Sequence, residues 1–317
     1  MSNPDYFPML NMYRSDYIDS RYFAIAGLYG MEGLIKQTGK DNGVKFFLRS
    51  MMKPIQASIL ADDTIYDYFN FTDEEIAVMQ GSHAGSPVHI ELVSSILEKI
   101  GLTKDFLLCP AIPPLDLTSY QNGVTFSALH NNCSGKHAMM LAYCIYKGYE
   151  LTKYTDFSHP VQLKIKEKLI EYAKTNNIIT TTDGCGVPAY GLAMPDIARA
   201  ILNYYTDKKN LKLTGAYKKY PEIIGGIDKF GVRTDTKIMK LNPCLLSKTG
   251  AGGFIYIFNL KTKELLIIKM SQDNNREREF LALEILFKLK WLNARYYDNI
   301  IYTENHLPTG KYVMSGF

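Results

Sequence analysis

Residues 49–54 read Arg-Ser-Met-Met-Lys-Pro, and this short stretch decides how the whole chain is interpreted. Ser50 and Lys53 are three positions apart, which places a hydroxyl and an amine on one face of a helix, one turn apart. A deprotonated lysine in that position can take the proton of a serine nucleophile without any histidine. We therefore predict a helix from residue 50 to about residue 60, with Pro54 tolerated in its first turn and a Ser-Lys pair at its start.

A second motif far along the chain strengthens this interpretation. Lys248-Thr249-Gly250 is followed by two apolar runs, at 253–260 and 264–270, that predict a β-hairpin. A Ser-x-x-Lys motif combined with a later Lys-Thr-Gly motif is typical of penicillin-recognising enzymes. Their third motif, Ser-Asp-Asn, does not occur in this sequence. The pattern favours a Ser-Lys acyl-transfer enzyme that is not a β-lactamase.

Length and composition indicate a chain with a sizeable core. It has 317 residues, 46% of them hydrophobic, and a net charge of +4 that comes from scattered lysines, so neither nucleic acid nor a membrane surface is implied as a partner. No apolar run approaches the ~20 residues of a transmembrane helix, and residues 1–16 lack a secretory pattern. Five widely spaced cysteines favour a reducing compartment with free or metal-bound thiols. We expect a cytoplasmic protein.

The predicted elements follow the order strands, many helices, strands and a closing helix. Strands are expected at 21–29 and 44–48, with turns at 30–42, while 178–189 is expected to be a polar, glycine-bearing segment. This order predicts an α+β architecture in which strands from both chain ends form one antiparallel sheet that packs with a helical region. We interpret residues 1–317 as a single catalytic unit, divisible into an α/β part at 1–60 and 220–317 and an inserted helical part at 61–219.

Two cysteine-bearing segments carry further reactive side chains. Residues 131–137 read Asn-Asn-Cys-Ser-Gly-Lys-His at an expected helix start, so Cys133 is well placed to be a thiolate of low pKa. Cys185 follows in a glycine-containing loop, Asp-Gly-Cys-Gly-Val-Pro, at 183–188. On the residues alone, these cysteines are either metal ligands or small buried hydrophobic groups.

Six motifs occur together in a fixed order. They are Arg49-Ser50-x-x-Lys53-Pro54-x-Gln56, Gly81-Ser82-His83-x-Gly85-x-x-x-His89, Asn132-Cys133-Ser134-Gly135-Lys136-His137, His159-Pro160-x-Gln162, Asp183-Gly184-Cys185-Gly186-x-Pro188 and Lys248-x-Gly250-Ala251-x-Gly253. This combination resembles the Rhizobium etli-type L-asparaginases, also called class 3 or the asparaginase II family. The resemblance is strongest from residue 47 to residue 256.

The resemblance implies a fold like that of serine β-lactamases and glutaminases, a homodimer, and hydrolysis of L-asparagine to L-aspartate and ammonia. Two Ser-Lys pairs and a zinc site correspond to positions of this chain: Ser50 with Lys53, Ser82 with Lys248, and Cys133, Lys136 and Cys185 as ligands of Zn²⁺. Arg49 and Asp183 correspond to residues near the active site, and we expect them to bind substrate together with His137, although His137 also fits a place on the helix surface.

The chain also departs from the family in two places. Residues 18–22 read Ile-Asp-Ser-Arg-Tyr where the family usually has glutamate and histidine, and Gly252 stands where an acidic residue is common. Both differences bear on the range of substrates more than on the mechanism.

Several assignments stay open at the level of sequence. We expect Ser50 to be the nucleophile and Lys53 its base, with Ser82 and Lys248 relaying protons to the leaving ammonia. The reverse assignment, in which Ser82 attacks, is the alternative that the sequence leaves open. A free lysine has a pKa of about 10.4 and is a poor base at neutral pH, so burial and a second nearby ammonium are needed to lower it. Alternative functions are an amidohydrolase acting on glutamine or a β-aspartyl compound, a β-lactamase or penicillin-binding-type protein, and a non-catalytic zinc-dependent binding module.

Overall fold

The main sheet is built from both ends of the chain. The computed structural model describes residues 3–116, 118–119 and 125–317. Its strands are β1 (Phe7–Arg14), β2 (Tyr17–Gly30), β3 (Gly33–Thr38), β4 (Lys45–Phe47), β5 (Ile179–Thr182), β6 (Pro188–Ala193), β7 (Ile227–Asp228), β8 (Gly231–Val232), β9 (Leu245–Gly250), β10 (Phe254–Asn259), β11 (Glu264–Met270), β12 (Ile300–Tyr302) and β13 (Pro308–Met314). Among these residues, eight strands form one sheet in the order β12-β13-β1-β2-β11-β10-β9, with β3 also paired to β2.

The pairing in this sheet is antiparallel throughout its order. Strand β2 joins the two chain ends, because it pairs with β1 on one side and with β11 on the other, where Tyr29 lies opposite Leu265. Strand β13 closes the same sheet against β1. Two smaller sheets, β4-β6-β5 and β7-β8, lie outside it. The prediction of an α+β fold with an antiparallel sheet from both chain ends is confirmed.

The helices lie mainly between the two groups of strands. Those contained in the described residues are α1 (Lys53–Ala57), α2 (Ile65–Tyr68), α3 (Asp73–Gln80), α4 (Pro87–Lys99), α5 (Ser134–Lys147), α6 (Pro160–Ala173), α7 (Met194–Thr206), α8 (Leu211–Lys219), α9 (Pro221–Ile224), α10 (Thr234–Leu241) and α11 (Asn275–Lys288). A capping box opens α3, since Thr72 Oγ1 accepts the backbone N–H of Glu75 and the Glu75 carboxylate accepts that of Thr72.

Both faces of the main sheet are covered, which explains the continuous apolar runs in its central strands. Phe254, Tyr256 and Phe258 of β10 contribute to a core shared with the helical region. The alternate residues Ile255 and Ile257 contribute to a second core on the other face, which α11 covers. A strand that alternates between two buried faces needs apolar residues at every position. The sheet therefore holds β9 and its lysine rigidly between two packed layers.

Two local expectations are wrong, and a third segment contains strands that the sequence interpretation did not assign. Residues 30–42 contain β3, which the turn prediction missed because glycines flank this largely exposed edge strand. Residues 178–189 contain β5 and the start of β6, and β5 reads Ile-Thr-Thr-Thr with every residue exposed. The expected helix at 50–60 is divided into a 3₁₀ turn at Arg49–Met52, α1 and a second 3₁₀ turn at Ser58–Leu60. No helix among the described residues is both long and apolar enough to cross a membrane.

Candidate active site

A small polar cavity lies where the 3₁₀ turn of Ser50 meets the end of β9 and the start of α11. Its volume is about 140 Å³. The residues that line it are Ser50, Ser82, Asn132, Arg233, Thr249, Gly250, Ala251, Asp273, Asn275 and Arg278. The two serines predicted from the sequence therefore share one cavity, and the Lys-Thr-Gly segment forms part of its wall.

The turn that carries Ser50 is held in an unusual backbone conformation. Arg49 has a φ of 50°, in the left-handed region that a residue with a side chain rarely adopts. The end of β9 presses against this turn, since a Cβ added to Gly250 would lie 2.9 Å from the carbonyl oxygen of Leu48 and from Cγ of Met51. Such local strain persists where the surrounding structure enforces it, and it is common at catalytic sites.

Lys53 follows the 3₁₀ turn of Ser50 in the chain and is 1% exposed. Its Nζ donates to the carbonyl oxygens of Gly81 at 2.7 Å and Asn132 at 2.8 Å. Burial lowers the pKa of Lys53. Of the nearby charges, Cys133 raises this pKa and Lys136 lowers it further. A neutral amine has two N–H donors and one lone pair, so the two carbonyls can satisfy both donors and leave the lone pair to accept a proton.

Ser82 lies on the loop that follows α3. Its side chain is buried, and its Oγ has no hydrogen-bond partner among the residues that the structure describes. The backbone N–H of Ser82 donates to the carbonyl oxygen of Ile224 at 2.8 Å, which fixes the loop. A buried hydroxyl without a protein partner that also lines a cavity is available to a bound molecule.

Lys248 is fully buried in β9, and its partner is a residue that the sequence did not indicate. Its Nζ donates to Oδ2 of Asp235 at 3.1 Å and to the carbonyl oxygen of Thr249 at 3.1 Å. Burial lowers the pKa of Lys248 to about 8, Asp235 opposes this, and the charge of Lys53 adds to the lowering. The mutual influence expected between the two lysines is therefore present at Lys248. Its pairing with Ser82 stays a prediction.

The two cysteine-bearing segments meet in the folded chain. Lys136 Nζ donates to Sγ of Cys185 at 3.1 Å, and all three side chains of the expected zinc site are buried. A hydrogen bond from the Cys185 thiol lowers the pKa of Cys133 well below its usual value against the effect of burial, and Lys53 and Lys136 add to the lowering. The expectation of a thiolate at Cys133 agrees with this direction.

The donor set fits a zinc ion in its chemistry. Two sulfur donors and a lysine nitrogen lie together, and Zn²⁺ prefers sulfur and nitrogen ligands. The described residues contain no group of three or more His, Cys, Asp or Glu side chains that could hold a metal. The expected ligand set contains a lysine in place of a third such side chain, and the site of Cys133, Lys136 and Cys185 stays a prediction.

The three residues expected to bind substrate lie around this thiol cluster, and none of them is among the cavity-lining residues. Arg49 Nε donates to Oδ1 of Asp183 at 2.5 Å. Burial raises the pKa of Asp183, but Lys136 and Arg49 outweigh it and leave the pKa below its usual value. His137 is fully buried rather than on the helix surface, and its Nδ1 is 2.7 Å from the hydroxyl of Tyr154. Whether these residues contact substrate stays a prediction.

Three charged residues that line the cavity, Arg233, Asp273 and Arg278, and the partner of Lys248, Asp235, were missed by the sequence interpretation. Asp235 and Arg233 belong to the segment that enters α10, whereas Asp273 and Arg278 flank the start of α11. The signal that could have found the last two is Asp273 lying just after a predicted strand and Arg278 one turn into the closing helix. Nothing in the local pattern at 233–235 distinguishes those residues from a solvated helix start.

The chain matches one family model and is similar to solved structures. A family model described as L-asparaginase II matches residues 10–312. No curated protein matches the sequence. Among solved structures, a β-lactamase from Mycobacterium bovis is 15% identical, with a TM-score of 0.45 over 84% of this chain and 94% of that chain. A candidate β-lactamase from Bacteroides dorei DSM 17855 is 10% identical, with the same TM-score and the same coverage of both chains.

Proposed function

The chain belongs to the L-asparaginase II family, and from this premise we propose that it hydrolyses L-asparagine to L-aspartate and ammonia by Ser-Lys acyl transfer. The observation that carries the proposal is the shared cavity of Ser50 and Ser82, with two buried lysines bonded to its lining: Lys53 to the carbonyl of Asn132 and Lys248 to that of Thr249. An amide carbonyl needs a nucleophile, a base and groups that stabilise the developing oxyanion. Two hydroxyls and two buried amines of lowered pKa supply the first two of these.

In the proposed reaction, Ser50 is the nucleophile and Lys53 its base. The lone pair of Lys53 Nζ takes the hydroxyl proton while Ser50 Oγ forms a bond to the side-chain amide carbon of asparagine. The carbon–nitrogen bond then breaks, and the departing nitrogen takes one proton to leave as ammonia, with the aspartyl group held as an ester of Ser50. Water attacks this ester, a lysine accepts a proton from the water, and Ser50 Oγ recovers its proton as L-aspartate leaves.

Lys248 and Ser82 are proposed to deliver the proton to the leaving nitrogen. With a pKa of about 8, Lys248 is largely protonated at neutral pH and can act as an acid. Asp235 holds this ammonium at 3.1 Å and thereby fixes its position. Ser82 Oγ has no partner among the described residues, so it is available to pass a proton between Lys248 and the substrate.

We also propose that Cys133, Lys136 and Cys185 hold a zinc ion. The lysine must be neutral to bind a metal, so protons compete with the metal at this site. Three protein ligands leave an open position. When bound, zinc would act there as a Lewis acid towards a water or a polar group of the substrate, whereas the acyl-transfer steps belong to the serines and lysines.

A homodimer in the cytoplasm completes the proposal. The five cysteines are free thiols, which suits a reducing compartment. Sedimentation velocity of the purified protein tests the oligomeric state, and a single species with the mass of one 36.0 kDa chain would count against the dimer.

The decisive experiment measures ammonia release and traps the covalent intermediate. Wild-type protein should release ammonia from L-asparagine, and acid quenching followed by peptide mass spectrometry should place an aspartyl ester on Ser50. Ser50→Ala should abolish both signals, Ser82→Ala should slow the reaction, and the exposed Ser271→Ala should leave it unchanged. An adduct on Ser82 would reverse the assignment of the two serines.

The same assay separates the alternative functions. Faster ammonia release from L-glutamine or a β-aspartyl amide would change the substrate. Acylation of Ser50 by a fluorescent penicillin without amide hydrolysis would favour the penicillin-binding alternative. Binding of asparagine without release of ammonia would favour a binding module.

A further inference from the structure

One wall of the cavity carries charged groups that the acyl-transfer steps do not use. Arg278 is 5% exposed and lines the cavity. Its Nη1 donates to Oδ1 of Asp273 at 3.0 Å and lies 3.4 Å from the carbonyl oxygen of Gly250, and its Nη2 donates to Oδ1 of Asn275 at 2.5 Å. Its Nε is buried and has no acceptor among the described residues.

A second guanidinium lines the same cavity with a similar deficit. Nη1 of Arg233 is buried and also lacks an acceptor in the described part of the chain, and the closest carboxylate to its Nε, that of Asp228, is 4.0 Å away. A buried N–H without an acceptor is costly, and a hydrogen bond to an ionised acceptor is the strongest that it can make. Both arginines line the cavity, and each carries a buried donor without an acceptor in the described part of the chain, so the protein pairs neither guanidinium fully.

The third charged residue of this wall has the opposite sign. Asp273 accepts from Arg278 and from the backbone N–H of Gly252, which lies 2.8 Å from its Oδ2. An ionised carboxylate has about four acceptor positions, so Asp273 has acceptor capacity left for a cation. The cavity thus presents two cationic groups and one anionic group beside the serine hydroxyls.

We propose that Arg278 and Arg233 bind the α-carboxylate of the substrate and that Asp273 binds its α-ammonium group, so that the site selects free α-amino acids with a side-chain amide. This inference rests on the proposed function. A planar guanidinium matches a carboxylate in geometry, which suits it to this role better than lysine. The volume of about 140 Å³ lies well below the roughly 300–1,000 Å³ of drug-sized ligand pockets, in accord with a group the size of one amino acid.

The test compares three substrates that differ in one group each: L-asparagine, L-asparagine α-amide, which lacks the carboxylate, and succinamate, which lacks the amine. For wild-type protein we expect kcat/KM to fall by at least about a hundredfold for each analogue, because each lacks a charged group that the cavity is proposed to bind. In Arg278→Gln the preference for asparagine over its α-amide should shrink at least about tenfold, while the preference over succinamate is kept. Asp273→Asn should show the reverse pattern.

Two further variants keep the test interpretable. The exposed Arg276→Gln on the same helix should retain both preferences. If Arg278→Gln fails to fold, as judged by circular dichroism, Arg233→Gln decides the matter through the same comparison. If the foldable arginine variants lower kcat/KM by one common factor for all three substrates, the arginines are structural and the proposal is overturned.

Product binding separates this inference from the proposed reaction. Calorimetry with L-aspartate and its α-amide reports recognition of the carboxylate without any turnover. Selective loss of L-aspartate binding in the arginine variants supports the inference even if the wild-type protein releases no ammonia, which would refute the proposed function alone. Equal binding of L-aspartate and its α-amide by the wild-type protein would refute the inference alone.

Discussion

Asp235→Asn removes the carboxylate that faces Lys248 inside the protein. The side chains of Asp235 and Lys248 are 1% and 0% exposed. One carboxylate oxygen accepts from Lys248 Nζ at 3.1 Å and from Thr249 Oγ1 at 2.9 Å, and the other accepts from the Thr249 backbone N–H at 2.7 Å. Breaking a buried ion pair by removing one partner costs about 3–5 kcal/mol, because it leaves an uncompensated charge. We expect a loss of this size wherever Lys248 stays charged.

The loss should depend on pH in a defined direction. Burial already lowers the pKa of Lys248 to about 8, and Asp235 acts to raise it, so its removal should lower the pKa further. A lysine with a depressed pKa in the folded state stabilises the fold least at low pH, because the unfolded chain then binds the proton more readily. As the pH is lowered from 8 to the new pKa of Lys248, the free energy of unfolding of the variant should fall relative to that of wild type. The fall should be about 1.4 kcal/mol per pH unit.

The assay is urea unfolding of both proteins at pH 6, 7, 8 and 9. The control is Asp196→Asn, which removes one partner of the more exposed pair with Arg199, three positions along α7, and should cost no more than about 0.5 kcal/mol at any pH. A difference between Asp235→Asn and wild type that is constant from pH 6 to pH 9, or close to zero, would refute the argument that Asp235 controls the charge of Lys248.

Three further outcomes are expected. Lys53→Met should lower ammonia release from asparagine at least about a hundredfold through loss of the base, and turnover within tenfold of wild type would contradict this role. Gly250→Ala should move the turn of Ser50, because the new Cβ would lie 2.9 Å from the carbonyl oxygen of Leu48. We expect a loss of about 1–3 kcal/mol in the free energy of unfolding and a lower kcat. An unchanged urea midpoint would argue against this displacement. Elemental analysis should detect zinc in wild-type protein and none in Cys133→Ala. Zinc occupancy of the wild-type protein should fall as the pH drops, because protons compete with the metal for the ligands. The absence of zinc from wild-type protein prepared without chelators would count against the site.

The sequence predicted the parts of the fold whose side chains carry a strong local signal. The apolar runs of β10 and β11 were identified because their burial requirement acts over a few residues. Strands β3 and β5 were missed because they lie at sheet edges with exposed side chains, so their partners rather than their composition make them strands.

The same distinction between local patterns and tertiary contacts applies to the candidate site. Ser50 and Lys53 could be proposed as a pair because their spacing within one turn is a local pattern of the sequence, and their catalytic roles stay a proposal. Asp235 and Arg278 could not be found in this way. Asp235 reaches β9 only when α10 packs against it, and Arg278 reaches the cavity only through the position of α11. Contacts of this kind depend on the tertiary fold, and no local pattern records them.

The arrangement of the main sheet sets the timing of folding during synthesis. Strand β2 is made early, but its partner β11 lies more than two hundred residues further along, where Leu265 faces Tyr29. At about 5–20 residues per second, the ribosome needs roughly 10–50 s to supply that partner. Throughout this interval, the apolar stretch from Ala24 to Leu28, buried on both faces in the finished protein, lacks the strand that covers it. A nascent chain of this design depends on transient shielding of β2, and an amino-terminal fragment that ends before β9 should aggregate rather than fold.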